Sequence, residues 1–225
     1  ADEITVVSGE RIHDELRKML TGRHRRRAVE LSHEVGLLIH VLPELRPLLD
    51  PPREDWNRTL RMLDLLEDCG FELAAAALLH AVENDPIDTV AQRLRLSNRE
   101  RDHIGWLIGR QHALDDAPAL PQARLKRLLA APLIGELLNL VRVRRETEGA
   151  DLEPVRFCEE SLRSTPPEEI NPPPLLTGND LIRAGFKPGP RFKPLLETIR
   201  DAQLNGEIGT KEEALELAGR HEMHE

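Results

Sequence analysis

Basic side chains that could hold phosphate oxygens gather around one turn near the end of this 225-residue sequence. Gly185 can end a helix in the left-handed conformation, and the Pro-Gly-Pro turn at 188–190 puts its last proline where it suits the first position of the next helix. Lys187, Arg191 and Lys193 flank that turn. Exposed N–H groups at the helix start, beside these cations, would form a small anion site for a phosphate. In the alternative interpretation, the prolines and glycines only set the geometry of a connection between two helices.

A second group of candidates is an arginine run, with four arginines in five residues: Arg23, Arg25, Arg26 and Arg27. Clustered guanidinium groups are suited to neutralising phosphates. A charge run is also typical of a solvated helix face. Both interpretations stay open for this run and for the shorter basic run at 142–145.

The composition limits what these cations can do together. A formal net charge of −9 argues against a protein that coats nucleic acid indiscriminately, so any contact with nucleic acid must be local. Aromatic residues make up only 3% of the chain and tyrosine is absent, which leaves few platforms for stacking single-stranded bases. Bound RNA would therefore be held by its phosphates and its shape.

The sequence favours a cytoplasmic protein without a membrane partner. It contains no stretch of about 18 apolar residues, and its first residues lack the basic-then-apolar character of a signal peptide. Cys69 and Cys158 are distant in sequence and have no Cys-x-x-Cys partner, so neither a disulfide framework nor a zinc site is indicated.

The periodicity of apolar residues predicts an all-α, multi-helix fold. Spacings of three and four residues dominate, as in the series Leu60, Leu63 and Leu66. The Ser/Thr-x-x-acid spacing at Ser97, Thr177 and Thr210 predicts three helix starts, because two side chains can then satisfy unpaired N–H groups of the first turn. The clearest predicted helices cover 56–67, 71–80, 97–112 and 133–145.

Prolines divide the sequence into three predicted parts. Pro51-Pro52 ends the first part, and the proline-rich run at 165–174 precedes the last. The predicted division is an N-terminal part at 1–50, a helical body at 51–164, and a proline-rich linker with a helical tail at 165–225.

The chain resembles a known family at both ends. At its beginning it resembles the neck region of bacterial class II tRNA nucleotidyltransferases (CCA-adding enzymes) and poly(A) polymerases, through Val7-Ser8-Gly9-Glu10-Arg11-Ile12, Glu15-Leu16, Gly36-Leu37-Leu38 and Leu42-Pro43-Glu44. Near its end it resembles the last part of the same family, through residues 174–182, 185–190, 202–208 and 211–214. The resemblance implies an all-α neck, body and tail unit, as in the C-terminal region of poly(A) polymerases, that binds and positions tRNA.

The resemblance also assigns a neck motif. In that family a Glu-Arg pair and a following Glu brace a helical turn beside the nucleotide site, and these positions correspond to Glu10, Arg11 and Glu15. From the residues alone, the same trio could be a solvated helix start with Glu near the positive end of the helix dipole.

The parts needed for catalysis are missing from the sequence. Nucleotidyl transfer needs carboxylates that hold two metal ions and a Gly-rich turn that holds the triphosphate. The family's Gly-Gly turn and Asp-x-Asp pair do not occur here. We therefore expect this chain alone to be inactive, with no catalytic residue and no cofactor of its own. A catalytic head in a longer parent chain would use magnesium and ATP or CTP and would be a partner of this region.

Two alternative functions follow from the predicted body. Some relatives carry a metal-dependent phosphohydrolase site built around a His-Asp pair, but here Ala81 follows His80 and Arg58 stands at the upstream ligand position. We expect a degenerate, metal-free HD-like body, because a lone histidine on a helix is more often a core residue than a metal ligand. A degenerate HD-type phosphohydrolase and a helical protein-interaction or dimerisation module remain the alternatives.

Overall fold

The computed structural model describes residues 8–83 and 86–223, and the regular structure in these ranges is helical without any strand, which confirms the all-α prediction. The first eight α-helices are α1 (Gly9–Thr21), α2 (Arg25–Glu34), α3 (Leu38–Val41), α4 (Arg46–Leu49), α5 (Glu54–Leu65), α6 (Phe71–Leu79), α7 (Ile87–Leu94) and α8 (Asn98–Ile108). The others are α9 (Gln122–Leu129), α10 (Ile134–Glu148), α11 (Glu153–Ser164), α12 (Pro167–Ile170), α13 (Gly178–Arg183), α14 (Phe192–Leu204) and α15 (Lys211–Met223). No helix among the described residues is long and apolar enough to cross a lipid bilayer.

The three predicted helix starts are confirmed. The Glu100 N–H donates to the Ser97 hydroxyl over 3.3 Å, and the Ser97 N–H donates back to the Glu100 carboxylate over 2.7 Å. Thr177 makes the same reciprocal pair with Asp180 at the start of α13, and Thr210 makes it with Glu213 at the start of α15. A cap of this kind stabilises a helix by about 1 kcal/mol, so local sequence places these helices.

The predicted helices of the body are present with shifted ends. Those predicted at 56–67, 71–80 and 133–145 correspond to α5, α6 and α10. The helix predicted over 97–112 is α8, which ends at Ile108 with Gly109 as its C-cap and continues as turns. Helices α7, α9 and α11 of the body were missed, although α7 carries apolar residues at helical spacing, namely Ile87, Val90, Ala91 and Leu94.

The structure divides into two compact units, unit 1 (1–115 and 135–155) and unit 2 (116–134 and 156–225). The three-part division predicted from the prolines is a division by sequence, and it stays a prediction. Residues 116–134, which that division gives to the body, belong to the same compact unit as the tail. Helix α9 lies in that segment.

Unit 1 is built around α6, which is apolar except for Glu72 in its first turn. Eight of its nine residues are buried, among them Phe71 and the run Ala74–Ala77. The small alanine side chains let α1, α5 and α8 pack closely around α6. Burying a large apolar side chain stabilises the folded state by about 1.5–3 kcal/mol. The burial of α6 is therefore the main source of stability for this group of helices.

Helix α1 is held against the body by a buried carboxylate. Glu100, which is 8% exposed, accepts hydrogen bonds from Ser97, from Arg17 and, over 3.2 Å, from His13 when that ring is protonated at Nε2. Burial raises the pKa of Glu100, but its hydrogen bonds with Ser97 and the charges of His13 and Arg17 outweigh that effect and lower it. The start of α1 also approaches α7 so closely that a Cβ on Gly9 would lie 2.4 Å from the Arg93 carbonyl oxygen.

Unit 2 has its own small core. Leu176, Leu181, Ile199, Ala214 and Ala218 are buried together. Leu176 lies between the proline-rich run and α13, and the others come from α13, α14 and α15, so the last three helices pack as one group. Phe186 and Phe192 are partly buried against the same core, which ties the turn between α13 and α14 to it.

Candidate nucleic-acid interface

The turn between α13 and α14 has the geometry that its glycines and prolines predict, with one exception. Gly185 follows the C-cap of α13 with φ +95°, a left-handed conformation, and the Phe186 N–H donates to the Leu181 carbonyl over 3.1 Å. The exception is Pro190, which was predicted at the first position of the next helix. Helix α14 begins at Phe192 instead, because the Phe192 N–H closes a turn onto the Gly189 carbonyl over 3.1 Å.

The start of α14 offers fewer free N–H groups than the sequence suggested. Arg191 is the N-cap and makes no capping hydrogen bond with its side chain. The Phe192 N–H is used in the turn, and Pro194 has no N–H to offer. Among the first three helical residues, only the Lys193 N–H has no acceptor in the described part of the backbone. Any attraction for an anion at this turn must therefore come mainly from side chains.

Four exposed cations surround this turn, and we call them the tail patch: Arg183, Lys187, Arg191 and Lys193. Three of them were predicted. Arg183 was not predicted because it lies in the last turn of α13, before the glycine and proline residues of the predicted turn. Within 8–83 and 86–223, Arg183, Lys187 and Lys193 form no ion pair. These three side chains are free to bind an external anion.

Three carboxylates on α13 and α14, the helices that flank the tail patch, are engaged by other cations. Asp180 pairs with Lys211, and the hydrogen bonds from Lys211 and Thr177 hold the pKa of Asp180 far below its usual range. Glu197 lies 2.7 Å from Arg127, and Asp201 lies 2.8 Å from the same guanidinium. Because these acids are neutralised locally, the tail patch stays positive in an acidic chain.

The arginine run at 23–27 does not act as one surface, and the structure argues against Arg25 as a phosphate contact. Arg25 is 6% exposed and donates hydrogen bonds to the backbone carbonyls of Leu20, Leu63 and Leu66. Leu20 lies in the last turn of α1, and Leu63 and Leu66 lie at the end of α5. The guanidinium thus caps two helix C-termini, where the helix dipole also favours a cation. A phosphate could reach it only if these bonds were broken.

The other arginines of the run differ from one another. Arg26 lies 3.1 Å from both Glu30 and Asp64, and these hydrogen bonds raise its pKa. Arg27 pairs with Glu34 over 2.9 Å and with Glu30 over 3.5 Å. Arg23 is exposed and pairs with no acid of the described chain. Arg23 is therefore the member of the run most available to a phosphate, while Arg26 and Arg27 would have to exchange a carboxylate partner.

The second basic run, at 142–145, is largely internal. Arg144 is 4% exposed and pairs with Asp115 and, over 2.8 Å, with Glu148. Arg145 lies 3.1 Å from the same Asp115. The ion pairs with Asp115 connect α10 to the turns after α8, so Arg144 and Arg145 support the fold of unit 1.

The neck motif residues lie on α1 but on different sides of it. Glu10 is exposed in the first turn, where hydrogen bonds from its own backbone N–H and from Ser8, with Arg95 nearby, lower its pKa. Arg11 and Glu15 are exposed on another side, and Glu15 pairs with Lys18 over 2.8 Å. Val7, the first residue of the resembling segment, lies outside the described residues. The structure therefore separates Glu10 from the other two members of the trio.

Arg11 and Glu15 border an open groove of about 680 Å³, which we call the neck groove. Its floor is apolar and is formed by Ile12, Leu16, Met19, Leu37, Leu38 and Val41. Leu37 is 38% exposed, and the neighbouring Val35 is 72% exposed. The sequence did not predict this groove, because it forms only where α1 meets the segment after α2.

The histidine of the predicted HD-like body is half-buried and is held by a backbone carbonyl. His80 hydrogen-bonds through Nδ1 to the Ala77 carbonyl over 3.0 Å, and burial lowers its pKa. Arg58 pairs with Asp55 over 2.7 Å. Among the described residues, no group of three or more His, Cys, Asp or Glu side chains could hold a metal ion. The geometry gives no support to the phosphohydrolase alternative.

Comparison with a protein-family model gives a match at the beginning of the chain. Residues 1–49 match a family described as "Probable RNA and SrmB-binding site of polymerase A". These residues include the neck motif and the arginine run, so the match covers the first of the two segments in which the sequence resembles the family.

Comparison with curated proteins extends the similarity over most of the chain. It is 26% identical to the A-adding tRNA nucleotidyltransferase of Deinococcus radiodurans, over 95% of this chain and 58% of the relative. It is 27% identical to the CC-adding tRNA nucleotidyltransferase of Thermus thermophilus, over 91% of this chain and 55% of the relative. A segment of 45 residues, 20% of this chain and 10% of the relative, is 49% identical to the A-adding tRNA nucleotidyltransferase of Halalkalibacterium halodurans.

The described part of the chain is all-helical, and its beginning matches a family model described as a probable RNA-binding site. Over most of its length the chain is similar to tRNA nucleotidyltransferases. It spans a little over half of the length of the two relatives that match most of it, 58% and 55%.

Proposed function

We propose that this chain binds tRNA through its phosphate backbone and positions it for a nucleotidyltransferase head located elsewhere in the same polypeptide. The observation that carries the proposal is the tail patch, a set of exposed cations whose neighbouring carboxylates are occupied by Lys211 and Arg127. The relatives that match most of the chain are named as enzymes that add nucleotides to tRNA, which favours tRNA over other RNAs.

Recognition through phosphates, with little contribution from bases, fits the side chains available in unit 2. Phe186 and Phe192 lie next to the tail patch, but both are partly buried against the core of unit 2 and leave little ring surface for stacking. Contacts to phosphate oxygens carry no direct sequence information. We therefore expect similar affinities for tRNAs of different sequence.

In the neck, we assign the phosphate contact to Arg23. Its guanidinium is exposed, while Arg26 and Arg27 are engaged with Glu30, Asp64 and Glu34. Arg26 and Arg27 remain secondary candidates, because each could exchange a surface carboxylate for a phosphate at small cost. Arg25 is left out of the proposed interface because its donors hold backbone carbonyls.

A salt titration of tRNA binding tests the tail patch. Each phosphate contact contributes about 0.9 to the slope of log affinity against log salt concentration on duplex-like RNA. The triple variant Lys187→Ala, Arg191→Ala and Lys193→Ala should therefore lower that slope by about two to three if all three residues bind phosphates. The measurement is filter binding or fluorescence anisotropy at several salt concentrations.

The matched control removes three positive charges elsewhere. Arg101, Arg163 and Arg220 each pair with an acid on their own helix, so their replacement by alanine changes the net charge equally without touching the tail patch. We expect a much smaller change in affinity and slope for this control. Equal effects of the two triple variants would contradict the proposal, because the tail patch would then act only through the net charge.

We also propose that the isolated chain transfers no nucleotides. Magnesium and ATP or CTP would be used by the head, whose Gly-Gly turn and Asp-x-Asp pair do not occur in this sequence. Incubation of the chain with tRNA, magnesium and labelled ATP or CTP should give no labelled product. Product above background in a preparation free of host enzymes would refute this part of the proposal.

The neck groove supports the head as the partner of this region. Its apolar floor and the exposed Leu37 and Val35 present a surface that a protein partner could cover. Leu37→Asp should weaken capture of a separately expressed head segment. Leu65→Asp is the matched control, because Leu65 is 44% exposed and does not line the groove. If sedimentation shows self-association that only Leu37→Asp abolishes, the groove is a dimer interface, as the interaction-module alternative predicts.

A further inference from the structure

Helix α14 carries acids on the same side as the tail patch. Glu197 and Asp201 follow Lys193 at four and eight residues, so the three side chains lie on one face of the helix. Residues four apart on a helix have Cβ atoms about 5–6 Å apart. A free carboxylate at Glu197 would therefore repel a phosphate bound at Lys193.

Arg127 neutralises both acids from another helix. Its Nη2 atom lies 2.7 Å from Glu197 Oε2, and its Nε atom lies 2.8 Å from Asp201 Oδ1. The Ala123 N–H donates to the Asn205 side chain over 2.9 Å, which fixes α9 antiparallel to α14. The pKa of Arg200 is lowered by its own burial and by the positive charge of Arg127. Arg127 therefore makes the electrostatic potential around it more positive.

Arg127 and its two acidic partners lie where their charges can act on a bound phosphate. The side chains of Arg127, Glu197 and Asp201 are 38%, 55% and 52% exposed. An anion that approaches the start of α14 would therefore meet either a neutralised face or an acidic one. Which of the two it meets depends on Arg127.

We infer that Arg127 is a positioning residue for RNA binding: it masks Glu197 and Asp201 and so keeps the first turns of α14 attractive to a phosphate. This inference rests on the proposed function of the tail patch. The charges of Arg127, Glu197 and Asp201 sum to −1, and Arg127→Gln changes that sum to −2. The triple variant Arg127→Gln, Glu197→Gln and Asp201→Asn changes it to zero without restoring the guanidinium.

The test measures tRNA affinity for these variants at low and high salt. Arg127→Gln should bind about threefold more weakly at about 50 mM salt. The difference should fall below about twofold near 300 mM, where charges more than about 6 Å apart are largely screened. The triple variant should recover the affinity of the unchanged protein to within about twofold, or exceed it.

Two further variants keep the test decisive. Arg124→Gln removes the same charge from the same helix, but Arg124 lies beside the far end of α14, so its effect should stay within about 1.5-fold. Glu197→Gln with Asp201→Asn leaves Arg127 in place and should bind at least as tightly as the unchanged protein, even if Arg127→Gln proves unstable.

Each outcome separates this inference from the proposed function. If Arg127→Gln binds normally while the Lys187, Arg191 and Lys193 variant is weakened, only the masking role fails. If the triple variant with Glu197→Gln and Asp201→Asn stays as weak as Arg127→Gln, Arg127 touches the RNA directly and masking is wrong. If the tail-patch variant itself binds normally, the proposed function of that surface fails first.

Discussion

Replacement of Arg25 by methionine should destabilise unit 1 strongly while leaving the proposed RNA contacts in place. Methionine keeps much of the length and apolar surface of the side chain but removes every donor. The backbone carbonyls of Leu20 and Leu66 would each lose a charged hydrogen-bond donor in a buried site, and Leu63 would lose a weaker one at 3.4 Å. The variant thus isolates the capping role of the guanidinium.

The expected magnitude follows from those contacts. A hydrogen bond to a charged group contributes about 1.5–3 kcal/mol, and an orphaned buried acceptor costs a similar amount when its partner is removed. Two good contacts that are not fully additive give a loss of about 3–5 kcal/mol. In a chain of this size, such a loss lowers the melting temperature by on the order of 10 °C.

The assay is urea and thermal unfolding followed by circular dichroism. Arg23→Ala is the control, since Arg23 lies two residues away, is exposed and should change stability by less than about 0.5 kcal/mol. A loss below about 1 kcal/mol for Arg25→Met would refute the capping argument. Loss of tRNA affinity by the folded Arg25→Met variant beyond that of Arg23→Ala would instead support Arg25 as a phosphate contact, against the structure.

Three other predictions concern the fold. Gly9→Ala should lower the free energy of unfolding in urea by about 1–3 kcal/mol, because the new Cβ would lie 2.4 Å from the Arg93 carbonyl oxygen. The control Gly135→Ala, whose Cβ would have no atom within 4 Å, should raise the free energy of unfolding by about 0.5–1 kcal/mol. If both variants changed stability in the same direction and by the same amount, the close contact at Gly9 would be wrong. The pKa of Asp180 is lowered from 3.8 in the folded state, so the ionised carboxylate contributes to folding stability above pH 3.8, and this contribution is lost as the pH falls further. The difference in melting temperature between the unchanged protein and Asp180→Asn should therefore shrink between about pH 5 and 2. Burial lowers the pKa of His80 from 6.5, so the unfolded state binds the proton more readily and the free energy of unfolding falls as pH drops through that value. His80→Gln should make the free energy of unfolding depend less on pH near 6.5. An unchanged pH dependence would argue against a neutral imidazole ring in the folded state.

Much of the local structure could be predicted from the sequence. The helical class and the three capping boxes depend on residues three or four positions apart, so the pattern of side chains along the chain contains the needed information. The left-handed Gly185 and the exposed position of Lys187 beside it also follow from local chemistry. The resemblance to the tRNA nucleotidyltransferases was visible for the same reason, since it rests on short motifs in order.

The availability of each cation could not be predicted in this way. In sequence, Arg23, Arg25 and Arg26 look equivalent, yet the first is exposed, the second is buried against carbonyls of α5, and the third pairs with Asp64. These partners lie about 40 residues further along the chain and come close only through packing. A run of like charges therefore predicts a basic segment but not which of its members is free.

What the sequence by itself determined is the helical class, the helix starts and the cationic turn of the tail, because each depends on neighbours along the chain. Only the tertiary structure decided that α9 belongs with the tail and that Arg127 reaches Glu197 and Asp201. That contact joins residues 70 or more positions apart, and it depends on the antiparallel packing of two helices. Burial and ion pairing are properties of such packed surfaces, so one residue type, arginine, can serve as a phosphate contact, as a helix cap or as a mask for neighbouring acids.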